Sequence, residues 1–345
     1  MAQQKRLRNL AHILKDTASV IAASLSMKRH VSSVRVNVLR ATTHSLAAPP
    51  SESKIAAVLA IGHGSHVLPR ACIDALMDRL HQTRSATVAL KCLFTLHNVV
   101  IKGPFTLKDQ LCHYPSYGGH NFLNLSTFRD DSEVESLELS SWVRWYASVL
   151  EQSLTVSRVL GYYMSSSLNE RSKKDAQERK CLVLGLSNAD LLYKLEGLVV
   201  FVEQISRVPE SLHLQRNELV YEVVRMVGED YRSVQGEILL RLEELGNRME
   251  DMDVGELSEL VDYLKRLEES QEKLVLLFVN RRKNNGFWDL VKEIKTKGVM
   301  KKEEIAGKWL TVVTTKATEL TRSTNPFLEP GQLGPVPLSS FATVR

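Results

Sequence analysis

The sequence predicts an all-α protein, a superhelical (solenoid-like) stack of roughly eight to eleven antiparallel helices. Apolar residues recur at steps of three or four along nearly the whole chain, which is the spacing of one helix face. No stretch alternates apolar and polar residues between turn signals, as strands do. Pro and Gly fall between the periodic stretches, where helices end and loops begin.

The periodic stretches follow one another from the N-terminus. A basic amphipathic helix is expected over 1–26, and a second helix over Val34–Arg40 leads into Pro49 and Pro50. Later stretches lie near residues 89–100, 142–150, 195–205, 219–245 and 257–267. The longest breaks, about 113–136 and 165–178, are followed at once by more helical pattern. We therefore expect one helical domain over 10–300 and a disordered tail over 318–345.

Composition places the chain among soluble globular proteins, since 43% of its 345 residues are hydrophobic and 25% are charged. No run approaches the ~18 apolar residues that a transmembrane helix needs. Lys15 and Asp16 interrupt the first apolar segment, which excludes a signal peptide. The four cysteines form no Cys-x-x-Cys pair, so we expect reduced thiols in a cytoplasmic protein.

Positive charge is concentrated at the N-terminus. Residues 1–40 hold eight Lys and Arg against one acid, a net charge of +7 in a chain whose total is +5. Such a segment suits an anionic surface, either lipid headgroups or nucleic acid. The segment has no aromatic residue to stack on bases and no recognition-helix motif follows it, so nucleic acid is the weaker alternative and is not predicted as a partner.

The segment Arg40-Ala41-Thr42-Thr43-His44 ends the second predicted helix. Its guanidinium, hydroxyl and imidazole groups place several hydrogen-bond donors in a small volume, which suits a multiply charged phosphate group. The alternative is structural: Arg40 complements the helix dipole, and the threonines start the next turn.

This motif, followed by Pro, resembles the lipid-binding signature of the ANTH-domain clathrin-assembly proteins. Three further stretches resemble the family in its own order: 89–100 followed by Gly103, 122–131, and 142–150. Residues 14–19 resemble the first helix of plant members. The chain is therefore identified as a member of this family, of the plant type with a short tail.

The resemblance implies a membrane-binding function. It implies binding to phosphatidylinositol bisphosphate, participation in clathrin-coated vesicle formation and, often, SNARE cargo. The expected headgroup-binding residues are the basic residues of the N-terminal segment, namely Arg40, His44, Lys54, Lys28, Arg29 and Lys15.

One departure from the family concerns this site. Two family cations are replaced by Ser51 and Ser53, and only Lys54 stands at the last basic position. Losing two charge-assisted bonds would cost ~3–6 kcal/mol of binding free energy. The alternative function is therefore a lipid-independent helical scaffold that has lost the lipid site.

The tail contains Asn325-Pro326-Phe327, which resembles the ligand of EH domains, the modules of endocytic scaffold proteins. Asn-Pro begins a tight turn and presents the Phe side chain. Two shorter lookalikes, a clathrin-box pattern at 239–243 and an adaptor pattern at 190–192, lie inside periodic helices. Their leucines are expected to be core residues.

The sequence contains no pattern that predicts an enzyme. Gly-rich phosphate loops, nucleophile elbows and paired carboxylates are absent, and His63 and His66 have no further ligand at metal-binding spacing. We therefore expect no catalysis, cofactor or metal. The predicted protein is a cytoplasmic, peripheral membrane adaptor of clathrin-coated pits and vesicles, at the plasma membrane or the Golgi. Its expected partners are clathrin or clathrin adaptors, an EH-domain scaffold and a SNARE.

Overall fold

The fold is α-helical throughout the part of the chain that the computed structural model describes. That part comprises residues 2–25, 29–45, 48–64, 67–112, 122–164, 173–278 and 285–321. No strand occurs in these ranges, which confirms the fold class predicted from the helical periodicity.

Twelve α-helices are present in these ranges, against the eight to eleven predicted. The additional helices include α3 and α6, each only eight residues long and so too short to give a clear periodic signal. The helices are α1 Ala2–Ser24, α2 Arg29–Ala41, α3 Glu52–Leu59, α4 Val67–Gln82, α5 Ala86–Lys102, α6 Phe105–Cys112, α7 Val134–Leu160, α8 Lys173–Leu184, α9 Asn188–Ser206, α10 Glu218–Asn247, α11 Val254–Leu277 and α12 Asn285–Thr321.

The later helices begin at capping residues. The side chain of Ser187 accepts a bond from the third residue of α9, and Asn217 does the same for the first turn of α10. Asp253 and Glu256 form a capping box at the start of α11. At its other end, α7 stops at Gly161, whose φ of 85° is the left-handed conformation that glycine adopts without strain.

The chain divides into two compact units, Met1–Val299 and Met300–Arg345. Within the first unit each helix packs on helices that lie one or two places away along the chain. Helix α2 packs on α1 and α4, α5 packs on α4 and α7, and α9 packs on α7, α10 and α11. The described part of the second unit is the remainder of α12.

Helix α5 forms the centre of the N-terminal half of the first unit. All fifteen residues from Ala86 to Val100 are buried, on every side of the helix. Its polar residues must therefore find partners inside the protein. His97 does so by bonding Tyr146 of α7 through Nδ1 (2.8 Å) and Asp230 of α10 through Nε2 (2.8 Å). This network ties three helices together.

Three predicted boundaries differ from the structure. Helix α2 begins at Arg29, whereas its predicted start was Val34. Helix α8 begins at Lys173, so the second half of the break predicted over 165–178 is helical. Helix α12 continues to Thr321, which makes the first residues of the predicted tail helical. The remaining tail, including Asn325–Phe327, lies outside the described residues.

Several core predictions are confirmed. The apolar faces expected near 195–205, 219–245 and 257–267 are buried in α9, α10 and α11. Leu191, Leu192 and Leu242 of the two lookalike motifs are core residues, whereas Leu239 and Leu240 are only partly buried. Cys72 and Cys92 are buried free thiols, whereas Cys181 is a free thiol exposed on α8. No helix in the described ranges is long and apolar enough to cross a membrane.

Replacing His97 by Leu is expected to lower the free energy of unfolding by about 3–5 kcal/mol, because the buried carboxylate of Asp230 loses its ring partner. Urea unfolding at neutral pH, followed by circular dichroism, measures the change. The control is His213→Leu. The His213 side chain is 61% exposed and pairs with Glu138, so its loss is expected to cost less than about 0.5 kcal/mol. Equal losses in the two variants would contradict a structural role for the network.

Candidate functional site

The candidate site is the turn between α2 and α3, which contains the Arg40–His44 motif. Helix α2 ends at Ala41, and the Thr42 hydroxyl donates to the carbonyl oxygen of Val38 (2.8 Å). Helix α3 begins after Ser51, whose carbonyl oxygen accepts from the backbone N–H of Lys54 (3.0 Å) and Ile55 (3.1 Å). The turn thus joins two helix ends, with α5 packed against both helices.

Asp16 of α1 holds the turn at His44. Its Oδ2 accepts from the His44 backbone N–H (2.9 Å), and its Oδ1 lies 2.6 Å from His44 Nδ1. Arg79 of α4 lies 3.7 Å from the same carboxylate and donates to the Thr42 carbonyl oxygen (3.3 Å). Burial alone would raise the pKa of Asp16. The hydrogen bonds from His44 and the charges of His44 and Arg79 outweigh burial and lower that pKa.

Lys91 of α5 holds the turn from the opposite, buried side. Its Nζ donates to the Ser45 carbonyl oxygen (2.8 Å) and to the Thr43 hydroxyl (3.3 Å), and only 2% of the residue is exposed. Burial lowers the pKa of Lys91 to about 8; the charge of Lys54 acts in the same direction and that of Asp16 opposes it. The turn is therefore fixed by charged side chains from α1, α4 and α5.

The predicted headgroup residues occupy different environments. Arg40, Lys54 and Lys15 are exposed to solvent. His44 is only 4% exposed and its ring is bonded to Asp16, so it positions the turn and does not present an open imidazole to a phosphate. This placement differs from the direct contact predicted for it. Lys28 and the side chain of Arg29 lie outside the described residues.

Ser51 and Ser53, where the family resemblance led us to expect two cations, lie on the surface. Both are exposed at the start of α3, and their hydroxyl oxygens lie 3.1 Å apart. Neither carries charge, and Glu52 between them adds one negative charge. The described surface of the turn thus carries Arg40 and Lys54 as its cations.

A cavity of about 460 Å³ lies beside the turn and brings Lys15 and His44 together. Its lining has mixed charge, because Lys15, Arg79 and Arg84 face it along with Asp130 and Glu133. Arg40 and Lys54 do not line it. No group of three or more His, Cys, Asp or Glu residues in the described ranges is placed to hold a metal ion.

Helix α1 presents its apolar face to solvent. Of the residues that it turns toward the protein, Ala23 is buried, and His12, Asp16 and Ser19 are partly buried. The opposite face carries an apolar stripe in which every side chain is at least half exposed: Leu7, Leu10, Leu14, Ile21 and Leu25, with Ile13 beside it. The face that meets the protein is therefore largely polar, and the largest apolar side chains of the helix are more than half exposed in the described part of the first unit.

Comparison with known proteins identifies the family. The sequence model of the ANTH domain matches residues 33–288, which include the turn and eleven of the twelve helices in whole or in part. The chain belongs to the ANTH-domain family. Three similar proteins of Arabidopsis thaliana each carry the description "Putative clathrin assembly protein".

These relatives are similar over most of their length. The first is 38% identical over 82% of this chain and 78% of its own length. The second is 31% identical over 81% of this chain and 82% of its own length. The third is 28% identical over 84% of this chain and 99% of its own length.

Sequence reasoning missed Asp16, Arg79 and Lys91 as parts of the site. A signal for Lys91 existed, because a lysine inside an otherwise apolar helical stretch requires a polar partner in the interior. No comparable signal marks Asp16 or Arg79, which are ordinary charged residues on amphipathic helices.

Replacing Asp16 by Asn is expected to destabilise the fold at pH 6 by about 1–2 kcal/mol, because the His44 and Arg79 bonds lose their charged acceptor. The folded-state pKa of Asp16 is lowered, so its contribution is present above its unfolded pKa and is lost as the pH falls through the folded pKa. The difference between variant and wild type should therefore shrink toward pH 3.

Urea unfolding at pH 6 and pH 3 tests this expectation. Asp74→Asn on α4 is the matched control, since its carboxylate is 44% exposed beside Arg70 and its loss should change stability by only a few tenths of a kcal/mol. A difference for Asp16→Asn that stays constant with pH would contradict the assignment.

Proposed function

We propose that the protein is a clathrin adaptor that docks on phosphatidylinositol bisphosphate-containing membranes and takes part in clathrin-mediated endocytosis. Membership of the ANTH-domain family and the names of its relatives support the clathrin role. The observation that carries the membrane proposal is the exposed apolar stripe of α1 on a segment of net charge +7. Docking would use the N-terminal segment, from α1 to the start of α3.

Helix α1 supplies the apolar part of this attachment. Burying a Leu or Ile side chain gains about 1.5–3 kcal/mol, and each stripe residue still exposes at least half of its surface. An amphipathic helix with basic residues lies in the headgroup plane of anionic membranes. Each Lys or Arg near the surface adds about 1 kcal/mol, and salt screens this attraction.

The exposed cations supply the headgroup contacts. Arg40 and Lys54 are the direct ligands for phosphate in this proposal, and Lys15 contacts the same membrane from α1. His44 has an indirect role in this proposal, because its bond to Asp16 fixes the turn that follows Arg40. Lys28 and Arg29 add long-range attraction through their charge.

The finer parts of the proposal rest on family membership and sequence. Recruitment to coated pits and vesicles at the plasma membrane or the Golgi, and a SNARE as cargo, follow from the family alone. The motif Asn325–Phe327 would recruit an EH-domain scaffold.

The double variant Arg40→Ala/Lys54→Ala is expected to lose at least about ten-fold in affinity for bisphosphate vesicles, because it removes two charge-assisted contacts. Co-sedimentation at physiological salt measures this affinity. Phosphatidylserine vesicles of equal surface charge and neutral vesicles are included in parallel. The matched control is Lys265→Ala/Lys273→Ala, which removes two exposed lysines from α11.

The outcomes separate the candidate functions. Selective pelleting that is lost only in the Arg40/Lys54 variant supports the headgroup site. Equal pelleting with every anionic vesicle assigns attachment to α1. Wild-type protein that stays in solution with all vesicles contradicts the membrane proposal and favours the lipid-independent scaffold, for which the uncharged Ser51 and Ser53 argue.

The double variant Leu10→Ser/Leu14→Ser is expected to weaken pelleting with all anionic vesicles by ten-fold or more, while thermal stability stays close to wild type. The reason is that both side chains are more than half exposed in the folded protein. The control is Phe105→Ser, which removes a 72% exposed apolar side chain at the start of α6. A similar loss of pelleting in the control would contradict a specific role for α1.

The tail proposal is tested with an isolated EH domain on beads. Wild-type protein should be retained, and Phe327→Ala should be lost because the domain's pocket no longer receives an aromatic side chain. Equal retention of the two proteins would contradict the proposal.

A further inference from the structure

Lys91 carries a buried charge that is held by neutral oxygen atoms in the described part of the chain. Its ammonium group donates to a carbonyl and a hydroxyl oxygen, and no carboxylate in the described part of the chain forms an ion pair with it. Burying a charge without a counter-ion is costly, and a polar acceptor compensates for only part of that cost. Such a group therefore points to a negative charge that arrives from outside.

The charges that act on Lys91 come from α1 and α3. Asp16 on α1 is the acid, and both of its oxygens are already engaged by His44 and Arg79. Helix α3, which carries Lys54, packs on α5, and the charge of Lys54 lowers the pKa of Lys91. Of the charges in the described residues that act on Lys91, the carboxylate of Asp16 is thus engaged by other groups, and Lys54 adds positive charge.

The same proximity connects Lys91 with the surface. Because the charges of Lys54 and Lys91 act on each other, an anion bound by Lys54 also acts on Lys91. The ammonium of Lys91 additionally holds Thr43 and Ser45, which lie in the turn between the two exposed cations. Lys91 therefore both fixes the position of the turn and adds positive charge beneath it.

We propose that Lys91 is the third cation of the phosphate site and partly replaces the charges missing at Ser51 and Ser53. A phosphomonoester group bound at Lys54 brings negative charge close to Lys91. Binding therefore favours the protonated form of the Lys91 ammonium group. No covalent step is involved, and the proton comes from solvent. The inference rests on the proposed headgroup function, and the shared ligand chemistry is that of an inositol phosphate, either free or in a lipid.

The first consequence is a pH dependence of binding. Near pH 7 Lys91 is mostly protonated, and near pH 9 it is mostly neutral in the unbound protein. Affinity for bisphosphate vesicles should then fall about five- to ten-fold between pH 7 and pH 9, because binding at the higher pH must also take up a proton. Lys91→Met should bind more weakly at pH 7 and should lack this fall.

Vesicle co-sedimentation of wild type, Lys91→Met and the control Lys102→Met at both pH values measures the effect. Lys102 is an exposed lysine on the same helix. Circular dichroism and thermal unfolding establish that each variant is folded. A merely structural role for Lys91 would lower affinity at both pH values equally, so a Lys91→Met protein that keeps the wild-type pH dependence would overturn the proposal.

A second measurement uses wild-type protein and does not depend on any variant folding. In protein labelled with ¹³C at lysine Cε, the Lys91 resonance is titrated without ligand, with soluble inositol trisphosphate and with bisphosphate vesicles. The pKa of Lys91 should rise on binding. A rise with vesicles alone assigns the site to lipid, and a rise with both assigns it to the phosphates themselves.

Two outcomes contradict the account at different levels. Binding of either ligand with an unchanged Lys91 pKa overturns the role of Lys91 and leaves the proposed function standing. Failure of wild-type protein to bind either ligand at any pH overturns the proposed headgroup function and this inference with it.

Discussion

Burial of α5 from Ala86 to Val100 is the constraint from which the organisation of the N-terminal half follows. A helix buried on every side has no solvent to satisfy its polar side chains, so each of them must find a partner inside the protein. His97 is matched by α7 and α10, and Lys91 is matched by the turn after α2. The same requirement thus organises both the core and the candidate site.

The turn and α1 show how this scaffold creates the segment that we propose to face the membrane. The carboxylate of Asp16 attaches α1 to the turn at His44, and Arg79 adds a second helix to the same contact. Because these contacts use the polar face of α1, its leucines remain on the outside. An arrangement of this kind leaves apolar surface and positive charge available together, which is what an anionic lipid surface requires.

Much of the fold follows from sequence periodicity. Helices α9, α10 and α11 are long and bury one continuous face, so their spacing alone predicts them. Helices α3 and α6 have two turns each, too few for the same signal. For α1, periodicity predicts an amphipathic helix but carries no information about which face meets the protein.

The exposed cations of the candidate site were predictable from the sequence, but the contacts that fix the turn were not. The exposed cations Arg40 and Lys54 were identified from charge and family resemblance. The bonds that fix the turn join residues far apart in sequence: 28 residues separate Asp16 from His44, and 48 separate Thr43 from Lys91. No local pattern encodes such pairs. The burial of His44 depends on the same long-range contact. The sequence alone therefore predicts a direct phosphate contact for this residue.

The central claim is that the N-terminal segment is the surface that meets the membrane. Hydrogen–deuterium exchange of the full chain, with and without phosphatidylinositol bisphosphate vesicles, tests it most directly because every backbone amide reports at once. The account predicts slower exchange in α1, in the turn and at the start of α3, with α9 to α11 unchanged. Slower exchange confined to α9–α11, or no change anywhere at a vesicle concentration that pellets the protein, would contradict it.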